Sequence, residues 1–174
     1  MQVDATPIRE KRFLCISGPM GAGKTTVCRA LQQRLDRCVF LDGDWCWDAH
    51  PFQVTGETKA MVLANITDVL NRFLACSVYD TVLFCWVMDR QSILDDVLSR
   101  LSLDDVKVCS FSLVCTEEAL RARLERDVAA GRRSPDAIEN GLARLPRYEA
   151  LNTEKLDVSE LSPEEAAEVI CKRI

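Results

Sequence analysis

Histidine is nearly absent from this 174-residue chain, with His50 the only one. Cysteine is more plentiful, at nine, but no two cysteines form a C-x-x-C pair. The only local metal-like spacing joins Cys46 to His50, and two ligands do not make a zinc site. The cysteines (Cys15, Cys28, Cys38, Cys46, Cys76, Cys85, Cys109, Cys115 and Cys171) are scattered and odd in number. Most lie in apolar runs, where Cys acts as a small hydrophobe, so they read as reduced core thiols. A basic excess is missing too: 22 Lys and Arg stand against 27 Asp and Glu, a net charge of −5. Non-specific binding to DNA or RNA needs a basic face, so no nucleic-acid partner is expected. No apolar run approaches the ~18–20 residues that span a bilayer, so no membrane partner is expected. The opening MQVDATPIREKR lacks the apolar core of a secretory signal, and the expected location is the cytoplasm. Repeats, low-complexity segments and dividing linkers are also missing. Residues 1–174 therefore read as one domain, long enough for a sizeable core.

What is present is the stretch Gly18-Pro19-Met20-Gly21-Ala22-Gly23-Lys24-Thr25-Thr26, which matches G-x-x-x-x-G-K-[ST]. Such a pattern carries chemistry only between a buried strand and a helix. Phe13-Leu14-Cys15-Ile16-Ser17 before it reads as a strand buried on both faces. After it, Val27, Leu31 and Leu35 share one helical face. The glycines let the backbone approach an anion, and successive N–H groups and the helix N-terminus would point at phosphates. Lys24 is placed to reach the β- and γ-phosphates of ATP, and the Thr25 hydroxyl to ligate Mg²⁺.

Further apolar runs recur with room for helices between them. Residues 38–41 read as a second strand, 81–88 as a central one, 108–114 as a fourth and 155–158 as a short last one. Helices are expected near 57–75, with Met61, Ala64, Val69 and Phe73 among the apolar positions, and near 91–101. Another should run from a Thr116 cap to Ala130, ending at Gly131. One should begin at Ser134-Pro135, and the last should open on the capping box Ser162-Pro163-Glu164-Glu165. Alternating strands and helices imply a parallel sheet covered on both faces, with ligands beyond the carboxyl ends of its strands.

Three constellations gather at that edge. Asp42 and Asp44, flanking Gly43, leave the second strand. The triplet is either turn chemistry or a pair of working carboxylates. In the second case Asp42 serves Mg²⁺ through water, and Asp44 orients the acceptor or acts as general base. Asp89, closing the most apolar run, competes with Asp42 for the metal. Arg121, Arg123, Arg126, Arg132 and Arg133 form a basic cluster at about residues 121–135, either a solvated face or a lid clamping phosphates. Arg123, Arg132 and Arg133 are the strongest candidates for contact with the transferred group. Trp45, Trp47, His50 and Phe52 follow Asp44 and either form an acceptor pocket or pack their loop onto the core.

On these residues the chain resembles the small P-loop kinases, the adenylate kinase-like and shikimate or gluconate kinase-like group. GPMGAGKTT resembles their phosphate loop, and Leu41-Asp42-Gly43-Asp44 their acidic strand end, especially the LDGD of adenylylsulfate kinases. Leu120-Arg121-Ala122-Arg123-Leu124 with Gly131-Arg132-Arg133 resembles the lid helix and its loop. Residues 155–165 resemble the last strand and closing helix, where the adenine lies in that group. The segments Asp42-Gly43-Asp44-Trp45, His50-Pro51-Phe52 and Leu145-Pro146-Arg147-Tyr148 are similar to a bacterial branch described as nucleotide kinase-like. Two departures stand out. The family's R-L-x-x-R lid would place its second arginine at Asp127, and the arginine-rich acceptor motifs are missing. The resemblance implies an α/β P-loop three-layer sandwich with a five-stranded parallel sheet in the order 2-3-1-4-5. It implies transfer of the γ-phosphoryl of Mg·ATP to a hydroxyl or phosphate of a small-molecule or nucleotide acceptor. The alternative is a nucleotide-binding switch or regulatory ATPase acting on a protein partner.

Overall fold

The computed structural model describes residues 10–174. The expectation that the amino-terminal stretch is no secretory signal therefore falls mainly on residues outside the described ones. Five strands form one sheet: β1 (Lys11–Ser17), β2 (Cys38–Asp42), β3 (Thr81–Cys85), β4 (Val106–Val114) and β5 (Glu154–Asp157). Their order is β2-β3-β1-β4-β5 and every neighbouring pair is parallel, as expected. Register places Leu14 beside Leu83 and Cys109, so β1 is central and all three strands run to the same edge.

Six α-helices connect the strands: α1 (Lys24–Arg34), α2 (Gly56–Ala75), α3 (Gln91–Ser99), α4 (Glu117–Ala129), α5 (Ala137–Glu149) and α6 (Pro163–Cys171). Alternation along β1 sorts them into layers. Leu14 and Ile16 face Val27, Cys28 and Leu31 of α1, Leu120 and Leu124 of α4, and Ile170 of α6. Phe13 and Cys15 face Ile66 and Leu70 of α2 and Leu94 and Val97 of α3. The result is a three-layer sandwich. Tyr148 of α5, with Val114 and Leu151, closes a small third cluster.

Several boundaries differ from expectation for identifiable reasons. β3 stops at Cys85; the Trp86 amide still donates to the Ile16 carbonyl of β1 at 3.3 Å, but Val87 and Met88 lie beyond the strand. The buried face of α2 is Val62, Ile66, Leu70 and Leu74, with Met61 and Ala64 outside it. An i, i+4 stripe fits the groove over β1 and β3 better than the positions read from the sequence. Ser134-Pro135 does not open α5; the amides of Ala137 and Ile138 close turns onto Ser134 and Pro135 first, and the helix begins at Ala137. Thr116 caps α4, and Ser162 with Glu165 forms the capping box of α6, as expected. All nine cysteines are free thiols. Among the described residues no helix is long and apolar enough to cross a membrane.

Candidate active site

β1 is among the most buried segments of the chain, and it delivers the loop of residues 18–23 to the carboxyl edge of the sheet. Gly21 has φ +85, and a Cβ there would come within 2.8 Å of Leu124 Cδ2, so only glycine lets the loop lie against α4. α1 begins at Lys24 directly after the loop, with its free amide end at the cleft. Lys24 is half-buried, and its ammonium donates to the carbonyls of Gly18 at 2.9 Å and Pro19 at 3.0 Å. Burial lowers its pKa, while Cys85, Asp44 and Asp42 act the other way.

The Thr25 hydroxyl donates to Asp42 Oδ2 at 2.6 Å, joining the phosphate-loop helix to the end of β2. Asp42 is buried, at 5% exposure, and its other oxygen accepts the Asp44 amide at 3.1 Å. That second bond caps a 3-10 turn over Gly43–Cys46. The extended chain therefore ends at Asp42, and the two carboxylates do not project as neighbours on one strand face. A Cβ on Gly43 would meet the Trp86 ring at 2.6 Å, so the glycine admits the indole. Asp44 opens onto the cleft. Desolvation by the surrounding walls, and then the charge of Asp42, raise its pKa against the opposing effects of Lys24, a hydrogen bond from Trp86, and Arg133.

The opposite wall comes from α4 and the turn after it. Arg123 donates to the carbonyls of Val158 and, at 3.2 Å, of Ser159, which ties α4 to the loop between β5 and α6. Arg132 and Arg133 both pair with Asp127, at 2.8 and 3.0 Å. Together these groups surround a cleft of about 580 Å³ that reaches from Met20 and the phosphate loop to Asp42, Asp44 and Val87. A smaller recess of about 270 Å³ adjoins it, between Thr26 and Val27 of α1 and Leu161, Pro163 and Ala166 at the start of α6.

The structure thus brings Gly21, Gly23, Lys24, Thr25, Thr26, Asp42, Asp44, Arg123, Arg132 and Arg133 to one cleft. It places Asp89 elsewhere. That carboxylate is buried at 8% exposure and paired with Arg147 of α5 at 2.7 Å. Of the two carboxylates, Asp42 is the one that touches the Thr25 hydroxyl. Among the outer arginines, Arg121 pairs with Glu117 and Glu139 and reads as solvated surface. Trp45, Trp47, His50 and Phe52 are not among the residues lining the cleft. Trp45 packs edge-on against Phe40 and over Arg29, and Trp47 lies against Phe52. Sequence reasoning passed over Val87 as a cleft residue, counted Arg126 in the basic cluster without ranking it among the strongest candidates, and gave Asp127 no role at the cleft. The position of Asp127, four residues before the Gly131-Arg132-Arg133 turn, was the available signal.

A family model described as AAA domain matches residues 14–143. No curated protein matches the sequence. Among solved structures, the tunicamycin resistance protein of Deinococcus radiodurans aligns with 18% identity and a TM-score of 0.68, covering 94% of this chain and 95% of that one. A gluconokinase from Sinorhizobium meliloti aligns with 19% identity and a TM-score of 0.65, covering 95% and 94%. The shikimate kinase of Acinetobacter baumannii, solved with shikimate, aligns with 21% identity and a TM-score of 0.63, covering 94% and 92%. At these identities the shared property is the fold, which is that of the small P-loop kinases.

Proposed function

The chain belongs to the AAA domain family, and from that premise we propose that it transfers the γ-phosphoryl group of ATP to a hydroxyl or phosphate of a small molecule. The observation that carries this reading is the Thr25–Asp42 contact of 2.6 Å beneath a cleft walled by Lys24 and arginines. Thr25 and Asp42 offer hard oxygen donors beside a phosphate loop, a donor set that suits Mg²⁺. A Cβ on Gly23 would meet nothing within 4 Å, so the loop faces open space where phosphates can lie. Mg²⁺ held there supplies charge neutralisation across the phosphates.

The chain's own residues divide the remaining tasks. Lys24 exchanges its loop carbonyls for phosphate oxygens. Its lowered pKa reflects a desolvated site, in which a charge-assisted contact is strong. Arg123, Arg132 and Arg133 neutralise charge on the transferred group. Asp44 accepts the acceptor's proton; its raised pKa makes it a stronger base than an ordinary carboxylate. The recess beside Val27 and Pro163 is apolar enough to seat the nucleobase.

The test is a thermal-shift screen of small hydroxyl- and phosphate-bearing compounds, each with and without Mg²⁺ and a non-hydrolysable ATP analogue. A kinase should respond to one acceptor class beyond its response to nucleotide. A response to nucleotide alone across the whole screen would favour a switch or regulatory ATPase.

A further inference from the structure

Asp127 occupies the last turn of α4, where the unpaired carbonyl ends of a helix disfavour a negative side chain. Two cations offset that penalty. Oδ1 accepts Arg132 Nε at 3.1 Å and Nη2 at 2.8 Å, and Oδ2 accepts Arg133 Nε at 3.0 Å. The backbone brings the partners together. Gly131, at φ +69, turns the chain so that the Arg132 amide donates to the Asp127 carbonyl at 2.9 Å. All three side chains line the phosphate-loop cleft. Arg133 also lies within electrostatic range of both Lys24 and Asp44. A carboxylate therefore sits among cations, on the wall that faces the place of an anion. It presents guanidinium groups with the same kind of paired acceptors that a phosphate would present.

We propose that Asp127 is a positioning residue whose carboxylate stands in for nucleotide phosphate, holding Arg132 and Arg133 at the cleft until phosphate oxygens displace it. The inference rests on the reading of the cleft as a nucleotide site. It accounts for the acid at position 127, where the resemblance to small P-loop kinases implies a second lid arginine. An arginine there would add to the uncompensated positive charge of the free protein, whereas the acid pairs with that charge. Binding then exchanges one set of guanidinium contacts for another, and Asp127 lowers nucleotide affinity. A permanent strut would act in the opposite direction, since its removal would let the arginines drift and weaken binding.

The sign of one substitution decides between these. Titration of the full chain with Mg²⁺ and a non-hydrolysable ATP analogue should show Asp127→Asn binding about 3–10-fold more tightly than the parent, the scale of one or two exposed ion pairs. Asp127→Ala should change in the same direction, and Asp127→Glu, which keeps the carboxylate, should stay near the parent. Adenosine should bind all four proteins alike. The gain should vanish in an Arg132→Gln/Arg133→Gln background. Equal or weaker binding of the analogue by both Asp127→Asn and Asp127→Ala overturns the proposal, while parental binding leaves the nucleotide reading standing. Failure of the parent itself to bind the analogue overturns both.

Discussion

Asp42 and Asp44 are separated only by Gly43, and their surroundings differ as much as those of distant residues. Asp42 is buried and committed to the Thr25 hydroxyl and the Asp44 amide, whereas Asp44 looks into the cleft with a raised pKa. Different environments imply different failures. Asp44→Asn should leave affinity for Mg·ATP nearly intact and slow transfer by ~10²–10⁴-fold, the usual contribution of a positioned base. The base must be ionised, so activity should fall as pH drops through a value above the ordinary aspartate pKa of about 4. That acid limb should be lost from the residual activity of Asp44→Asn. Asp42→Asn should instead raise the Mg²⁺ concentration needed for half-maximal rate. Mg²⁺ titrations and kcat–pH profiles of both variants would measure this; the opposite pattern would interchange the two roles.

At the level of elements, the end of α4 determines where the lid arginines lie. The amides of Gly131 and Arg132 return to the carbonyls of Val128 at 2.9 Å and Asp127 at 2.9 Å, the bonding pattern of a Schellman turn. The turn needs the left-handed backbone that Gly131 adopts at φ +69. A Cβ there would meet nothing within 4 Å, so substitution costs backbone strain without a clash. Gly131→Ala should lose about 1 kcal/mol, and Gly131→Asn less, because Asn tolerates the left-handed region. Urea or thermal denaturation would rank the three proteins. Equal loss for Ala and Asn would mean that backbone handedness is not the constraint. The helix and its glycine stop were readable from Thr116 and Gly131. The start of α5 was not, because Ser134-Pro135 satisfies the local rule for a helix start while the chain is still completing the lid turn.

Across the whole molecule, the sheet separates two layers of different character. The phosphate loop, α1, α4 and α6 share the Leu14/Ile16 face, and both clefts lie on that side or at its edge. α2 and α3 cover the Phe13/Cys15 face through apolar contacts. Binding of an ATP analogue should therefore slow hydrogen exchange in residues 18–26 and 121–135. The buried amides of α2 and α3 should change little, since their opening is governed by packing that the ligand does not touch. Exchange mass spectrometry with and without the analogue would measure this. Protection confined to α2 and α3, or none at all, would place the ligand elsewhere.

Short-range chemistry was sufficient for much of this protein. The spacing of Gly18, Gly23, Lys24 and Thr25, the apolar run before them and the helical face after them specify a phosphate loop. Alternating apolar runs specify a parallel sheet, and its order follows the resemblance to small P-loop kinases. Those signals are local because backbone freedom, capping and periodicity act within a few residues. Side-chain partnerships across the fold were beyond such reasoning. Whether Asp42 or Asp89 meets Thr25 depends on which strand end lies beside α1 and on Arg147 reaching Asp89 from α5. Whether Trp45 enters the cleft depends on the competing attraction of Arg29 and Phe40. Whether Asp127 is a gap in a motif or the partner of two arginines depends on a turn that folds the chain back over α4. In the first two cases the deciding contact joins groups whose separation in space is set by packing, a quantity that no local pattern of residues encodes; in the third the partners are neighbours in sequence, and only their place on the cleft wall is set by packing.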